Sequence, residues 1–206
     1  MKMTSCIARR VSMFAVVAFL MVGCGQGGPS YLPISENREW TYATRTAFNK
    51  PNSSIKVGPK IAVGKIEGRV LLGDLGESRV AWDGPVLIAS QLANARFNPP
   101  IPMFREDKLP ASKKQREEEF VVVDRWKGKM DSFDQSRLAT AVLSQRRTVI
   151  EVLGKKTNVV ESLLMITLGK SEIEIRTLFE RGKGIVKQEQ RSNRNLVVSI
   201  ELIDMK

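Results

Sequence analysis

The stretch that decides the fold is residues 147–204, RTVIEVLGKKTNVVESLLMITLGKSEIEIRTLFERGKGIVKQEQRSNRNLVVSIELID. It contains five segments rich in β-branched and apolar residues, separated by the Gly, Lys, Ser and Asn residues of turns. The segments are Arg147–Leu153, Asn158–Leu168, Glu172–Phe179, Gly184–Gln190 and Asn195–Asp204. The connections are too short for crossovers, so consecutive strands must be antiparallel. The stretch therefore predicts a meander of five strands.

Two of these segments alternate apolar and polar residues, which is the pattern of a sheet with one buried face. The apolar positions are Ile173, Ile175, Thr177 and Phe179 in one segment and Leu196, Val198, Ile200 and Leu202 in the other. Residues two apart lie on the same face of a strand. We therefore predict a twisted antiparallel sheet, or half-barrel, whose concave apolar side needs cover.

The first half of the chain predicts further strands with a less regular pattern. Aromatic and β-branched residues alternate at Trp40, Tyr42, Thr44, Thr46 and Phe48. Further strands are predicted at Lys60–Leu72, with bulges at Gly64 and Gly68, at Ser78–Trp82 and at Glu119–Trp126.

Three other segments carry mixed signals. Val86–Leu92 fits a strand or one helical turn, and Ser132–Ser144 fits a strand or a short helix. Asn94–Ser112 contains four prolines, which predict an extended, irregular surface segment because proline lacks the N–H that a strand ladder needs. The fold class is therefore mainly β: one domain over residues 31–206, an antiparallel curved sheet or half-barrel, with a short helix as an option.

The chain begins with an export signal that ends in a cysteine. Lys2, Arg9 and Arg10 precede an uncharged run, Val11–Gly23, which is too short to span a membrane, and Cys24 follows. Residues 1–23 resemble a bacterial lipoprotein signal, although Met21 stands where that family usually has Leu. The resemblance implies that Cys24 is acylated and becomes the first residue of the mature chain. The alternative is an ordinary secretory signal in which Cys24 plays no part.

Residues 24–30 form a Gly-rich tether that would keep the domain close to the bilayer. Fully extended at roughly 3.5 Å per residue, the tether spans about 25 Å. The lipoprotein pattern supplies two or three acyl chains, whereas one chain anchors a protein only marginally. By resemblance to the sorting rule of Gram-negative lipoproteins, Gly25 after the cysteine favours the outer membrane, with the domain facing the periplasm.

The positive charge of the chain limits the kinds of partner that we expect. The formal net charge is +11, and the signal holds three basic residues and no acidic one. A basic surface favours anionic neighbours such as lipid headgroups or acidic polymers. Nucleic acid is not expected, because the chain carries an export signal and has no compact Lys/Arg cluster interleaved with aromatic residues.

The cysteine and histidine counts exclude several kinds of site. Cys6 leaves with the signal and Cys24 carries the lipid, so the mature chain can form no internal disulfide. The sequence has no His, which excludes Ser-His-Asp and Cys-His catalysis and His-containing zinc sites. We predict no cofactor, no metal and no enzymatic activity.

Two motifs resemble those of a group of uncharacterised β-rich bacterial envelope lipoproteins. Residues 31–42, YLPISENREWTY, are similar to the opening YFPL..GN.WTY of that group. Residues 177–189, TLFERGKGIVKQE, are similar to its closing hairpin with GVG(L/I)VK.E. Glu39 and Lys183 depart from the small or apolar residues usual there. The group implies an antiparallel sheet curved like the lipoprotein-carrier half-barrels, and no established activity.

The candidate ligand-binding residues are four aromatic side chains, Trp40, Tyr42, Trp82 and Trp126. Aromatic faces suit sugars or acyl chains. The alternative is core packing, since each of the four lies in a strand-like segment. The strand-like context favours core packing.

Two functions are compatible with these patterns, and an enzyme based on carboxylates or Ser/Lys is a disfavoured third. One is a structural or accessory lipoprotein that docks on an envelope protein complex, for example through sheet edges. The other is a binder or carrier of a lipid or other amphiphile in the concave face of the sheet. A filled core favours the first, and an open apolar cleft favours the second.

Overall fold

The computed structural model describes residues 30–46, 52–74, 76–109, 119–132 and 135–206. The signal peptide and Cys24 lie outside these ranges. Twelve strands are found in the described residues, in chain order β1 (Glu39–Thr46), β2 (Asn52–Val63), β3 (Ile66–Gly73), β4 (Gly76–Asp83), β5 (Val86–Leu92), β6 (Ala95–Arg105), β7 (Val121–Ser132), β8 (Gln135–Val152), β9 (Lys155–Leu168), β10 (Ser171–Glu180), β11 (Gly184–Ser192) and β12 (Asn195–Met205). These ranges contain no helix, so the described parts of Val86–Leu92 and Ser132–Ser144 are strands.

The sheet is an antiparallel meander that closes on itself. Each strand pairs with the next, and β1 pairs with β12 from Trp40 opposite Met205 to Thr46 opposite Val198. The mainly β, one-domain fold and the predicted C-terminal meander are confirmed. The half-barrel proves to be a closed barrel, because the first strand supplies the partner that the last strand needs.

The sequence predicts one strand with bulges at Lys60–Leu72. The structure divides this segment between β2 and β3. Gly64, with φ of 64°, sits in the tight turn between them, where a left-handed conformation favours glycine. The bulge lies earlier, where the register shifts between Val57 and Lys60. Gly68 lies in regular β3. Glycine is needed there because a Cβ would meet the carbonyl oxygen of Val80 at 2.2 Å.

The prediction of an irregular surface segment at Asn94–Ser112 is wrong for residues 95–105, which form β6. Ile101, Met103 and Phe104 on this strand are buried. The prolines are tolerated because β6 pairs with β7 only over Arg96–Asn98 and Lys129–Asp131. Beyond this point the side of β6 that faces β7 makes no ladder with it, so a missing N–H there costs little.

The later half of β6 leaves β7 and is held by polar side chains of β8 and β9. Ser162 Oγ donates a hydrogen bond to the carbonyl oxygen of Met103 at 2.7 Å. The Arg105 N–H donates to Gln145 Oε1 at 3.0 Å. These bonds satisfy backbone groups that the neighbouring strand does not pair. They also hold the end of β6 against β8 and β9.

The interior of the barrel is filled by side chains. A closed sheet of about eight strands already has room for a packed interior, so twelve strands in a round barrel would leave a wide lumen. The rings of Phe104 and Phe179 are nevertheless 5.0 Å apart, although four strand positions separate β6 from β10. The barrel is therefore flattened. The largest fully buried side chains include Trp40, Tyr42, Phe104, Phe179, Ile101, Leu143, Leu164 and Ile166.

The two ends of the barrel differ. The end that holds the turns after β2, β4, β8 and β10 also holds Ser30–Asn37, and we call it the plugged end. The opposite end, with the turns after β3, β5, β9 and β11, is called the far end. At the plugged end Tyr31 and Leu32 are buried, and the Gly182 N–H donates to the carbonyl oxygen of Ser30 at 2.8 Å.

Replacing Gly68 by Ala tests the close packing of β3 on β4. The added methyl would lie 2.2 Å from the Val80 oxygen and 2.8 Å from Ala81 Cβ, so the strands must separate. We expect Gly68→Ala to lower the free energy of unfolding by about 1–3 kcal/mol, measured by urea denaturation.

The matched control is Gly58→Ala, whose new methyl would meet the half-exposed side chain of Leu72 at 3.1 Å and the Val70 carbonyl oxygen at 3.3 Å, so only small shifts are needed. That side chain can move, so we expect a change within about 0.5 kcal/mol. Equal losses in the two variants would contradict the described packing.

Candidate functional site: an ionic cleft on the outside of the barrel

Two of the four candidate aromatic residues, Trp40 and Tyr42, point into the barrel. Each has 1% of its surface exposed. Trp40 Nε1 donates to the carbonyl oxygen of Lys183 at 2.6 Å, and the Tyr42 hydroxyl donates to that of Ile185 at 3.0 Å. Both side chains therefore tie β1 to the chain around the start of β11, and burial raises the pKa of the Tyr42 phenol well above its usual range.

The other two, Trp82 and Trp126, lie apart from each other. Trp82 Nε1 donates to the carbonyl oxygen of Leu32 at 3.0 Å, beneath the N-terminal segment. Trp126 Nε1 donates to that of Pro99 at 3.0 Å, where β6 leaves β7. The four residues thus do not line one common face. Each polar ring atom is bonded to a backbone carbonyl, which is the arrangement of the core-packing alternative.

The N-terminal segment completes the packing of the plugged end. The Tyr31 ring stacks on Phe104 with centroids 4.8 Å apart. The guanidinium of Arg181 lies 4.7 Å from the centroid of the Tyr31 ring and forms an ion pair with Glu106. Cation–π and ionic contacts over a buried aromatic ring favour one fixed position of the segment.

The barrel carries a cleft of about 260 Å³ on its outer surface, beneath the hairpin of β8 and β9. Val152 of β8 and Glu201 of β12 both line this cleft, although four strand positions separate the two strands. In a flat sheet with strands about 4.8 Å apart, they would lie roughly 19 Å from each other. The hairpin must therefore bend over the outer face of β10 and β11.

An ionic cluster centred on Glu161 of β9 lies in the cleft. Arg146 of β8 sits directly opposite Glu161 in the ladder and donates from Nε to Oε2 at 2.6 Å. Arg176 of β10 approaches Oε1 at 3.3 Å. Only 3% of Glu161 is exposed, and a buried carboxylate is stable only when it is paired and hydrogen-bonded. The cluster also locks three adjacent strands in register.

Around this cluster the cleft combines an apolar floor with a charged rim. Leu178 and Val186 form the apolar floor, Ile150 and Val152 of the hairpin lie over it, and the rim adds Glu151, Lys187, Glu189 and Glu201. Such a cleft can accept one polar or charged group of a partner while burying an adjacent apolar part. The described ranges contain no group of three or more carboxylate or thiol side chains placed to hold a metal ion. They also contain no helix long and apolar enough to cross a membrane.

Sequence analysis does not identify this cleft. The one feature of the sequence that could have indicated the cleft is Glu161, an acidic residue within the mostly apolar segment Val159–Leu164. Residues that pair with Glu161 come 15 positions before and after it, and their register is fixed only by the two hairpins.

The sequence matches no family model, and no curated protein is similar enough in sequence to match. Two solved structures share the fold. A "putative lipoprotein" from Parabacteroides distasonis is 11% identical with a TM-score of 0.51, over 88% of this chain and 100% of its own. A "putative exported protein with YmcC-like fold" from Bacteroides fragilis is 14% identical with a TM-score of 0.50, over 86% and 99%. At such identities the likeness shows the fold alone.

Replacing Glu161 by Gln tests the ionic cluster. The amide keeps the shape but removes the buried carboxylate that Arg146 and Arg176 share, while Arg176 keeps Glu174 at 3.5 Å. Because 25% and 37% of the two arginine side chains are exposed, water compensates in part. We expect a loss of about 1–2 kcal/mol in the free energy of unfolding.

Glu67→Gln is the control, since Glu67 pairs with Lys60 on the surface, where both side chains are more than half exposed. Its unfolding midpoint in urea should stay close to that of the wild type. If Glu161→Gln were equally harmless, the cluster would not hold the three strands together.

The buried phenol of Tyr42 predicts a pH dependence of stability. Above the ordinary tyrosine pKa of about 10, the unfolded chain ionises this group while the folded chain keeps it neutral. The contribution of the buried phenol to the free energy of unfolding is therefore fully present below that pH. Above it, this contribution falls by up to about 1.4 kcal/mol per pH unit.

Tyr42→Phe cannot ionise, so we expect it to escape this fall while losing its hydrogen bond at all lower pH values. The gap in unfolding free energy between the wild type and Tyr42→Phe should shrink as the pH rises above about 10. Urea denaturation of both proteins across that range measures the gap. A constant gap would mean that the phenol is not buried as described.

Proposed function

We propose that this protein is a membrane-anchored envelope lipoprotein with an accessory, non-enzymatic role, held by acyl chains on Cys24 and docking on an envelope protein complex. The lipoprotein signal and its cysteine support the anchor, and Gly25 supports the outer membrane, with the domain facing the periplasm. The opening and closing motifs support membership of the β-rich envelope lipoproteins that the sequence resembles.

The filled interior of the barrel supports a docking role rather than a carrier role. A carrier of a lipid or amphiphile needs a concave space that the ligand can enter. Here Trp40, Tyr42, Phe104 and Phe179 occupy the interior, and the segment with Tyr31 and Leu32 closes the plugged end. A ligand would have to displace several aromatic side chains that are already packed and hydrogen-bonded. The outer surface is therefore the place for recognition.

The cleft beneath the β8–β9 hairpin is the part of the outer surface best suited to a protein partner. It offers an apolar floor and a charged rim within one concave site. An accessory protein uses such a site to hold a partner side chain. No catalytic set is needed for this role, and Glu161, already bonded to two arginines, serves as a structural anion.

Site-specific photocrosslinking in intact cells tests this proposal. A photoreactive phenylalanine analogue replaces Lys187 on the cleft rim in one variant and Lys170 in the turn after β9 in the other. We expect a discrete crosslinked product with an envelope protein at position 187, absent at position 170 and reduced when Cys24→Ser removes the anchor.

Native mass spectrometry of the Cys24→Ser protein addresses the carrier alternative. We expect the mass of the bare chain, because the interior has no room for an acyl chain. A stoichiometric bound lipid, together with no crosslinked protein at position 187, would reverse the order of the two functions.

A further inference from the structure

We propose that the plugged end of the barrel faces the membrane and that the β8–β9 turn, Leu153–Lys156, rests on anionic lipid headgroups. This inference rests on the proposed acylation of Cys24 and adds a second point of membrane contact. It assigns a partner to an exposed apolar turn that the fold itself leaves uncovered.

The first argument is the length and end point of the tether. Ser30 is fixed to the plugged end by the hydrogen bond from the Gly182 N–H, and Tyr31 and Leu32 are buried immediately after it. Six residue steps separate Cys24 from Ser30, a reach of at most about 21 Å at roughly 3.5 Å per step. The acyl chains therefore hold the plugged end, and not the far end, against the lipid surface.

The second argument is the form of the hairpin at this end. β9 pairs with β10 only as far back as Val160, whereas Lys155 still pairs with Val152, so the hairpin continues five residues beyond its neighbour. One face of this extension, with Ile150 and Val152, lines the cleft. The opposite face exposes Val149 by 51% and Leu153 by 55%. Because the hairpin bends over β10 and β11, this outer face is left uncovered by the barrel, and exposed apolar residues there indicate a contact surface.

The third argument is charge. Lys155 and Lys156 follow Leu153 in the turn and both are exposed; Lys156 lies opposite Glu151 in the ladder, so the tip of the hairpin keeps a net positive charge. Lys65, in the turn after β2 at the same end, is also exposed. An apolar residue flanked by lysines is the pattern of a segment that inserts shallowly among anionic headgroups. The short tether keeps the turn at high local concentration near that surface.

A single labelled cysteine tests the contact in the full-length acylated protein. Cys6 leaves with the signal and Cys24 is blocked by its lipid, so Leu153→Cys introduces the one free thiol. It is labelled with the environment-sensitive fluorophore NBD and reconstituted into vesicles of phosphatidylethanolamine and phosphatidylglycerol. The matched control is Lys170→Cys, an exposed turn residue at the far end.

We expect a blue-shifted emission and quenching by spin-labelled lipid at position 153, and neither at position 170. Adding K155E and K156E to Leu153→Cys should remove both signals, as should replacing phosphatidylglycerol by phosphatidylcholine. Equal emission at positions 153 and 170 in vesicle-bound protein would overturn the contact while leaving the lipoprotein proposal intact. An undiminished signal in phosphatidylcholine would overturn the role of the anionic headgroups.

The same samples separate the two proposals. Mass spectrometry of the N-terminal peptide reports the acyl chains, and flotation with vesicles reports anchoring. Absence of both would overturn the lipoprotein proposal and this inference with it. Their presence with no response at position 153 would overturn the inference alone.

Discussion

The pairing of β1 with β12 is the contact on which the rest of the structure depends. It joins the first strand to the last over seven residues of β1, Trp40–Thr46, and converts a meander into a closed barrel. A closed sheet has no outer edges, which removes the unpaired backbone groups that promote aggregation. Closure also creates an interior that must be filled. Since twelve strands enclose more space than a ring of side chains can fill, the barrel flattens and draws part of its own wall inside.

The filling of that interior follows from the need to pair buried backbone groups. The half of β6 beyond Asn98 has no ladder with β7, and side chains of β8 and β9 bond to its backbone instead: Ser162 donates to Met103, and Gln145 accepts from Arg105. Trp40, Trp82 and Tyr42 likewise donate to backbone carbonyls rather than to a ligand. The same contacts fill the barrel, and for this reason we place the proposed recognition on its outside, at the Glu161 cleft and the β8–β9 turn.

The parts of the fold that could be predicted are those where local patterns and tight turns agree. The C-terminal meander has glycine or asparagine at its turns, and the turn fixes the register of each hairpin. The errors come from residues whose roles are set by distant partners. Gly64 and Gly68 look alike in sequence, but one forms a turn and the other avoids the Val80 carbonyl. The prolines of β6 predict an irregular segment. Only the structure shows that one side of this strand is unpaired beyond Asn98, where proline is tolerated. Glu161 gains its partners only when β8, β9 and β10 align.

The sequence by itself determined the strand character of the chain, its antiparallel order and the absence of histidine, and it predicts an export signal that ends in a cysteine. These depend on composition and on contacts between near neighbours. The tertiary structure alone decided that the sheet closes, that its interior is filled, that the four aromatic side chains donate to backbone carbonyls, and that a cleft forms outside. The physical reason is that closure pairs residues more than 150 positions apart, and no local pattern encodes which distant backbone groups meet.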